Sequence, residues 1–198
     1  MKAFHSIILV MCLPIFLLAQ EENNYKTIAL SFNFNGLNLS SYYGGVGGRL
    51  WISESTVLNA SIGASISETE QEATEEYDKG LTKNKYIDFG VGMENHLLEA
   101  DNISLYLSTR LALGLTDNYY KSPTSDYKTT DKSYSYRLGF GLGVEYWLFE
   151  RMSLSGQHLF NAYYTTGEYN FSGEDSARNT KGYGISFGTT SLILSIYF

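Results

Sequence analysis

The chain has 198 residues, with 14 Lys and Arg against 21 Asp and Glu for a formal net charge of −7, 43% hydrophobic residues and one Cys. The acidic balance supplies no basic patch to replace phosphate counterions, which argues against a nucleic-acid partner, and a lone Cys leaves no disulfide or thiolate framework within the chain. Mean hydropathy of −0.17 separates nothing, because strands that alternate apolar and polar residues average to neutral.

The first twenty residues hold Met1 and Lys2, an apolar run over 7–18, and Ala19 before an acidic, polar start. A basic start, a short apolar core and a small residue at the break have the layout of a cleaved secretory signal peptide over 1–19. Cleavage after Ala19 leaves one domain over 20–198, and the apolar run is too short for a spanning helix. Cys12 lies inside that run and not at its end, so no lipid-anchored Cys is expected. Beyond residue 20 no stretch of 18 apolar residues occurs, which predicts no transmembrane helix.

From there the hydrophobic period is two, the period of strands. Over 27–35, Ile28, Leu30, Phe32 and Phe34 oppose Ala29, Ser31 and Asn33. Over 42–52, Val46, Leu50 and Ile52 oppose Gly45, Gly47 and Arg49, and a turn at 53–56 leads to 57–67, the cleanest alternation. Segment 68–84 is acidic and reads as a solvated loop. Over 85–96, Ile87, Phe89, Val91 and Met93 oppose Asp88, Gly90, Gly92 and Glu94. A turn near 98–102 leads to 103–115, where Leu105, Leu107, Leu111 and Leu113 oppose Tyr106, Ser108, Arg110 and Ala112. A second polar loop is expected over 116–133. Over 134–148, Leu138, Phe140, Leu142 and Val144 oppose Arg137, Gly139, Gly141, Gly143 and Glu145, and a turn at 149–151 follows. The strand over 152–164 is the least regular, and a third polar loop is expected over 165–181. The last strand, 182–198, carries Leu192, Leu194, Ile196 and Phe198 on one face and slips phase near 188–191, where a bulge is expected.

This pattern predicts an all-β chain: an eight-stranded antiparallel up-and-down transmembrane β-barrel, with strands of about ten residues covering an apolar band of about 25 Å. Connections alternate between tight turns and polar runs of about seventeen residues, the asymmetry of periplasmic turns and extracellular loops. An apolar last strand would be an aggregation-prone edge unless it paired with the first, which barrel closure provides.

A soluble barrel with its apolar set inside is the alternative, and volume argues against it. An eight-stranded interior is just wide enough to be filled by side chains, and nearly every strand supplies several large apolar residues. The apolar set therefore faces out and the Gly, Ala, Ser and Asn set faces in. Tyr42, Tyr86, Tyr134 and Tyr164 are expected in an interfacial aromatic girdle. The inward set carries Arg49, Glu94 and Glu145 near the short turns and Asp88, Arg110 and Arg137 higher up. Buried charges must pair, so two stacked salt-bridge clusters are expected to plug the lumen.

Chemistry-bearing motifs are sparse. The Gly-rich runs at 44–48 and 139–147 are followed by no helix, and glycine in a strand makes room for neighbours instead. The acidic run lacks the spacing of a calcium loop. Neither cofactor nor metal is expected. His158-Leu159-Phe160-Asn161-Ala162 resembles the His-x-Ser-Asn-Ala motif of lipid A deacylases, themselves eight-stranded barrels, but Phe160 stands where the nucleophilic serine belongs. Acyl transfer without that hydroxyl loses its first step.

The strand pattern, the leader ending Leu-Leu-Ala-Gln and the terminal Tyr-Phe together resemble small outer-membrane β-barrel domain proteins of the OmpX or OmpA transmembrane-domain type, particularly those of Bacteroidota. The resemblance implies export to the outer membrane. The lipid and lipopolysaccharide of that membrane are then partners, as is the barrel assembly machinery, which reads Leu192, Leu194, Ile196 and Phe198 as a C-terminal signal. It also implies a structural or surface-binding role through the long loops, whose Tyr-rich segments at 117–121 and 126–136 offer contact surface. A small-solute channel of porin type, which needs a continuous wet lumen, is the alternative.

Overall fold

Eight antiparallel strands follow one another around a single sheet: β1 (Ile28–Asn35), β2 (Tyr42–Trp51), β3 (Thr56–Gln71), β4 (Gly80–Ala100), β5 (Ile103–Lys121), β6 (Lys128–Phe149), β7 (Met152–Phe171) and β8 (Arg178–Tyr197). The computed structural model describes residues 28–37, 42–72, 79–124, 127–172 and 177–198. The expected leader and its cleavage point after Ala19 lie outside these residues. Each strand pairs with its predecessor, and β8 returns to pair with β1 from Ala29↔Tyr197 to Asn35↔Ser191, which closes the barrel.

Alternation sets the two faces. In β6 the odd-numbered Gly139, Gly141, Gly143 and Glu145 are buried, while Leu138, Phe140, Leu142 and Val144 are exposed. In β7 the buried set is Ser153, Ser155, Gln157 and Leu159. The interior is thus lined by small and polar groups and the exterior by large apolar ones. The C-terminal residues Leu192, Leu194 and Ile196 sit opposite Phe34, Phe32 and Leu30 of β1, and the Phe198 amide donates to the Ile28 carbonyl at 2.9 Å.

The strands are longer than hydropathy predicts. The segments expected as loops at 68–84, 116–133 and 165–181 are mostly strand, which leaves connections at 72–79, 122–127 and 172–177. Where both faces of a ladder are wet, apolar alternation vanishes, but cross-strand pairing still stabilises the sheet by roughly 0.2–1 kcal/mol per pair. Lys85, Asp117, Lys132 and Glu168 occupy one register line across β4, β5, β6 and β7 with alternating sign. Lys83 meets Glu68 at 2.9 Å and Lys79 meets Glu70 at 2.7 Å. Thr and Tyr, which favour strands, fill the rest.

The wall is uneven. Pairing of β2 with β3 stops at Val46↔Ile62 although β3 runs on to Gln71, and pairing of β1 with β8 stops at Asn35↔Ser191 although β8 begins at Arg178. Above β1 and β2, six strands therefore rise as an extension whose β3 and β8 flanks have no strand partner among the described residues. The bulge expected near 188–191 falls at Gly188, whose φ of +98° suits glycine. Pairing with β7 there jumps from Leu159↔Thr189 to Phe160↔Phe187.

Glycine also decides the packing of the interior at Gly143. The Tyr106 ring, fully buried, lies where a Cβ on Gly143 would stand. Gly143→Ala is therefore expected to destabilise the fold by about 1–3 kcal/mol through overpacking, read as a lower urea midpoint. Tyr106→Leu in the same background should return most of that loss. An unchanged midpoint in Gly143→Ala would mean that the ring does not occupy this space.

Candidate functional site

The interior carries two charged levels, the first formed from inward positions of alternate strands and the second from those of consecutive strands. At the short-turn end, Arg49 of β2 stands between Glu94 of β4 and Glu145 of β6, with side-chain exposures of 2%, 1% and 0%. Its guanidinium donates to both Glu145 oxygens, at 2.5 and 3.0 Å, and also to Glu94. β8 completes the set: Arg49 donates to the Tyr197 hydroxyl at 2.6 Å and to Ser195 at 3.2 Å, while Tyr197 donates to Glu145 at 3.2 Å. Ser153 also donates to Glu145, and Asn59 donates to Glu94 at 2.8 Å. A buried pair is tolerable only when such additional hydrogen bonds satisfy its remaining lone pairs.

His96 joins this level, two residues beyond Glu94 on the same face. Its Nδ1 lies 2.5 Å from the Ser104 hydroxyl and its Nε2 lies 3.8 and 3.7 Å from the Glu94 and Glu145 carboxylates. The ring packs between Trp51 and Tyr106, with centroids 4.6 and 5.1 Å away.

The second level lies further from the short turns and is only part-buried. Arg137 of β6 donates to Asp88 of β4 and, at 2.9 Å, to the Tyr86 hydroxyl, which itself donates to Asp88 at 3.1 Å. Arg110 of β5 lies 3.5 Å from Asp88 and donates to Ser61 at 2.7 Å. Exposures of 15% for Asp88, 23% for Arg110 and 33% for Arg137 show that this level does not fill the barrel. A cavity of about 670 Å³ borders it, lined in part by Asn84, Asn161, Ser65 and Ser191. Between the two levels, bordered by Arg49, Glu94, Asn59 and Arg110, lies a small cavity of about 10 Å³, at most the room for a single water. Both expected clusters are brought together: Arg49, Glu94 and Glu145 are buried, whereas Asp88, Arg110 and Arg137 are part-exposed and line the floor of a vestibule.

All six charged residues singled out from the sequence fall into these two groups. Tyr106 was read on the inward face but not as a neighbour of the cluster, His96 and Tyr197 were missed, and Tyr86 was placed elsewhere. Parity alone identifies them, since each shares the face of a charged or small inward residue. Tyr86 is a correction of its own, because it points into the lumen and not to a girdle. Tyr134 and Tyr164 are exposed on the outer face as expected, and the Tyr42 side chain lies outside the described residues. The deacylase-like segment is split by alternation. His158 is outside, with its Nδ1 2.9 Å from the Thr190 hydroxyl, and Phe160 is outside as well, whereas Asn161 borders the vestibule. Among the described residues no three His, Cys, Asp or Glu side chains are grouped to hold a metal.

No family model and no curated protein matches the chain. Among solved structures it is similar to a major outer membrane protein from Thermus thermophilus, at 13% identity over 86% of this chain and 99% of that one, with a TM-score of 0.48. It is also similar to the ferric yersiniabactin uptake receptor FyuA from Yersinia pestis, at 11% identity and a TM-score of 0.38; the match covers 76% of this chain and 24% of the receptor.

Arg49 is the cation that the buried carboxylates of Glu94 and Glu145 share. Arg49→Met is therefore expected to cost about 3–5 kcal/mol in denaturant unfolding. The triple variant with Glu94→Gln and Glu145→Gln should recover a large part of that loss. A single variant with near wild-type stability would show that the two glutamates find neutralisation elsewhere.

Proposed function

We propose that this chain is an integral outer-membrane β-barrel protein, closed to conduction at its short-turn end and acting at the cell surface through the sheet extension at its other rim. The observation that carries the reading is the inversion of polarity. Leu111, Val91 and Leu138 are 58%, 57% and 57% exposed, while Arg49 and Glu145 are 2% and 0% exposed. Water does not favour such an exterior, and lipid does.

The apolar exterior has a border. Tyr136, Tyr164 and Tyr183 form one register line on the outer face, where amphipathic rings suit a headgroup layer. Four residues further along the strands runs the Lys85–Asp117–Lys132–Glu168 line. The extension beyond it is polar and carries its own aromatic group. Tyr127 packs edge-on against Phe171 at 4.4 Å and lies 6.3 Å from Tyr120, and a hydrogen bond with Tyr169 holds its phenol above the usual tyrosine range. Tyr and Phe displayed on a rigid polar sheet are the composition of contact surfaces, which supports an extracellular ligand at this rim. In this reading the lipid and lipopolysaccharide of the outer membrane cover the exterior. The barrel assembly machinery inserts the chain by reading Leu192, Leu194, Ile196 and Phe198, following export by the leader.

The reading is non-enzymatic. The porin-like alternative needs a wet path through the Arg49 level, where Arg49, Glu94 and Glu145 are paired and at most 2% exposed. Two outcomes test the proposal. Leu111→Arg, in the middle of the apolar exterior, should cost about 2–4 kcal/mol in lipid, while Thr166→Arg, beyond the tyrosine line, should cost less than about 1 kcal/mol. Equal costs would remove the lipid assignment. In a planar bilayer the purified protein should show no steady current, and a stable conductance would replace the closed barrel with a channel.

A further inference from the structure

We propose that the vestibule above the Arg49 level is a binding site for a compact oxyanion group, a carboxylate or a phosphate. This goes beyond the surface role proposed above. It stands on the geometry of the cavity, so it holds or fails separately from the conductance of the barrel. At about 670 Å³ the cavity has the size of a small-ligand pocket. The charges on its wall do not cancel. Two guanidinium groups, Arg110 and Arg137, face one carboxylate, Asp88. Further towards the rim, Asp131 and Arg178 flank Tyr169 on one register line and offset each other in sign. The cavity wall therefore carries one more positive than negative charge, in surroundings that screen it less than open water does, while Arg49, Glu94 and Glu145 beneath it carry one more negative than positive.

The hydrogen bonds are divided unevenly as well. Asp88 is engaged by Arg137 and by the Tyr86 hydroxyl, and its oxygen is 3.5 Å from Arg110, too far for a strong hydrogen bond. Among the described residues, Arg110 is left with Ser61 as its hydrogen-bond partner and the buried Nε of Arg137 has none. A planar guanidinium with unused N–H groups fits the paired oxygens of a carboxylate or phosphate. Small residues on the wall keep this arrangement flat. A Cβ at Gly90 would fall on the Arg110 guanidinium, and one at Gly139 would stand 2.8 Å from the Asn161 side-chain oxygen and 3.6 Å from the Arg110 Cβ. Neutral donors complete the lining, with Asn84, Ser65 and Gln157 among them.

The oxyanion has two possible sources. A free solute reaches the cavity from the far rim. The headgroup of an anionic amphiphile reaches it over the low wall of β1 and β2, where β3 from Gly63 onward lacks a strand partner on that side among the described residues.

The test uses the full chain folded in octyl glucoside, a detergent without phosphate, titrated by calorimetry with inorganic phosphate, with dodecyl phosphate and with tetramethylammonium as the cation control. Saturable binding of a phosphate compound and none of the cation is expected. Saturation by inorganic phosphate assigns a free solute, and saturation by dodecyl phosphate alone assigns a lipid headgroup. Arg110→Gln, checked for folding by circular dichroism, should weaken binding by about tenfold or more. Asp88→Asn, which removes the competing anion while keeping a polar group, should strengthen it several-fold. The second variant carries the test alone if the first does not fold. Failure of both phosphate compounds to saturate below about 10 mM, or wild-type affinity in Asp88→Asn, overturns the proposal.

Discussion

The buried guanidinium of Arg49 is the interaction on which the interior depends. It holds Glu94 on one side of the barrel and Glu145 on another, and through Ser195 and Tyr197 it reaches the last strand, which closes against the first. Four strands meet at one cation. A charge so enclosed costs several kcal/mol to desolvate, and Arg49 recovers that only where all its partners stand in register. A slip of one residue in β2, β4 or β6 would turn a charged group from the lumen to the apolar exterior. The cluster therefore selects the register.

The same physics explains why the two charged levels differ. At the Arg49 level each carboxylate has several donors, and aromatic rings from Trp51, Tyr106 and Trp147 fill the space around it. At the Asp88 level the neighbours are Gly90, Ala112, Gly114 and Gly139, which leave volume unfilled. Side-chain size at inward positions thus sets where the interior is solid and where it is hollow. The large rings gather near the short turns, where Gly143 makes room for Tyr106, and small residues line the Asp88 level.

Much of this was legible in the sequence, because strand alternation is a local rule. Arg49, Glu94 and Glu145 can be assigned to one level, and Asp88, Arg110 and Arg137 to another, by counting residues from the turns. The bulge was also legible, since the apolar period breaks between Phe187 and Leu192. The strand lengths were not. Glu68, Lys83, Asp117 and Lys132 read as loop residues because hydropathy registers only the difference between a wet face and a dry one. A ladder wet on both faces has no such difference, and its pairing lies in charges that meet only after the strands are aligned. Tyr86 was misplaced for a related reason: a tyrosine near a strand end suggests a girdle, but its position two residues from Asp88 fixes it inside. The vestibule could not be read at all, because a cavity is the volume that several distant inward residues together fail to fill.

The uneven wall follows from strand length, with consequences for both rims. β1 and β2 are 8 and 10 residues long, while β4 to β8 run to about twice that. A barrel of equal strands with a filled interior would be inert at both ends. Here pairing of β2 with β3 ends at Ile62 while Gly63 and Ser65 of β3 still line the cavity, and the tall side carries the polar ladder outward. The charges paired at the Arg49 level sit on β2, β4 and β6, and β4 and β6 extend from that level well beyond the short pair. Display beyond the apolar border and a hollow beneath it are thus two results of one asymmetry in strand length, superimposed on an alternation that never changes face.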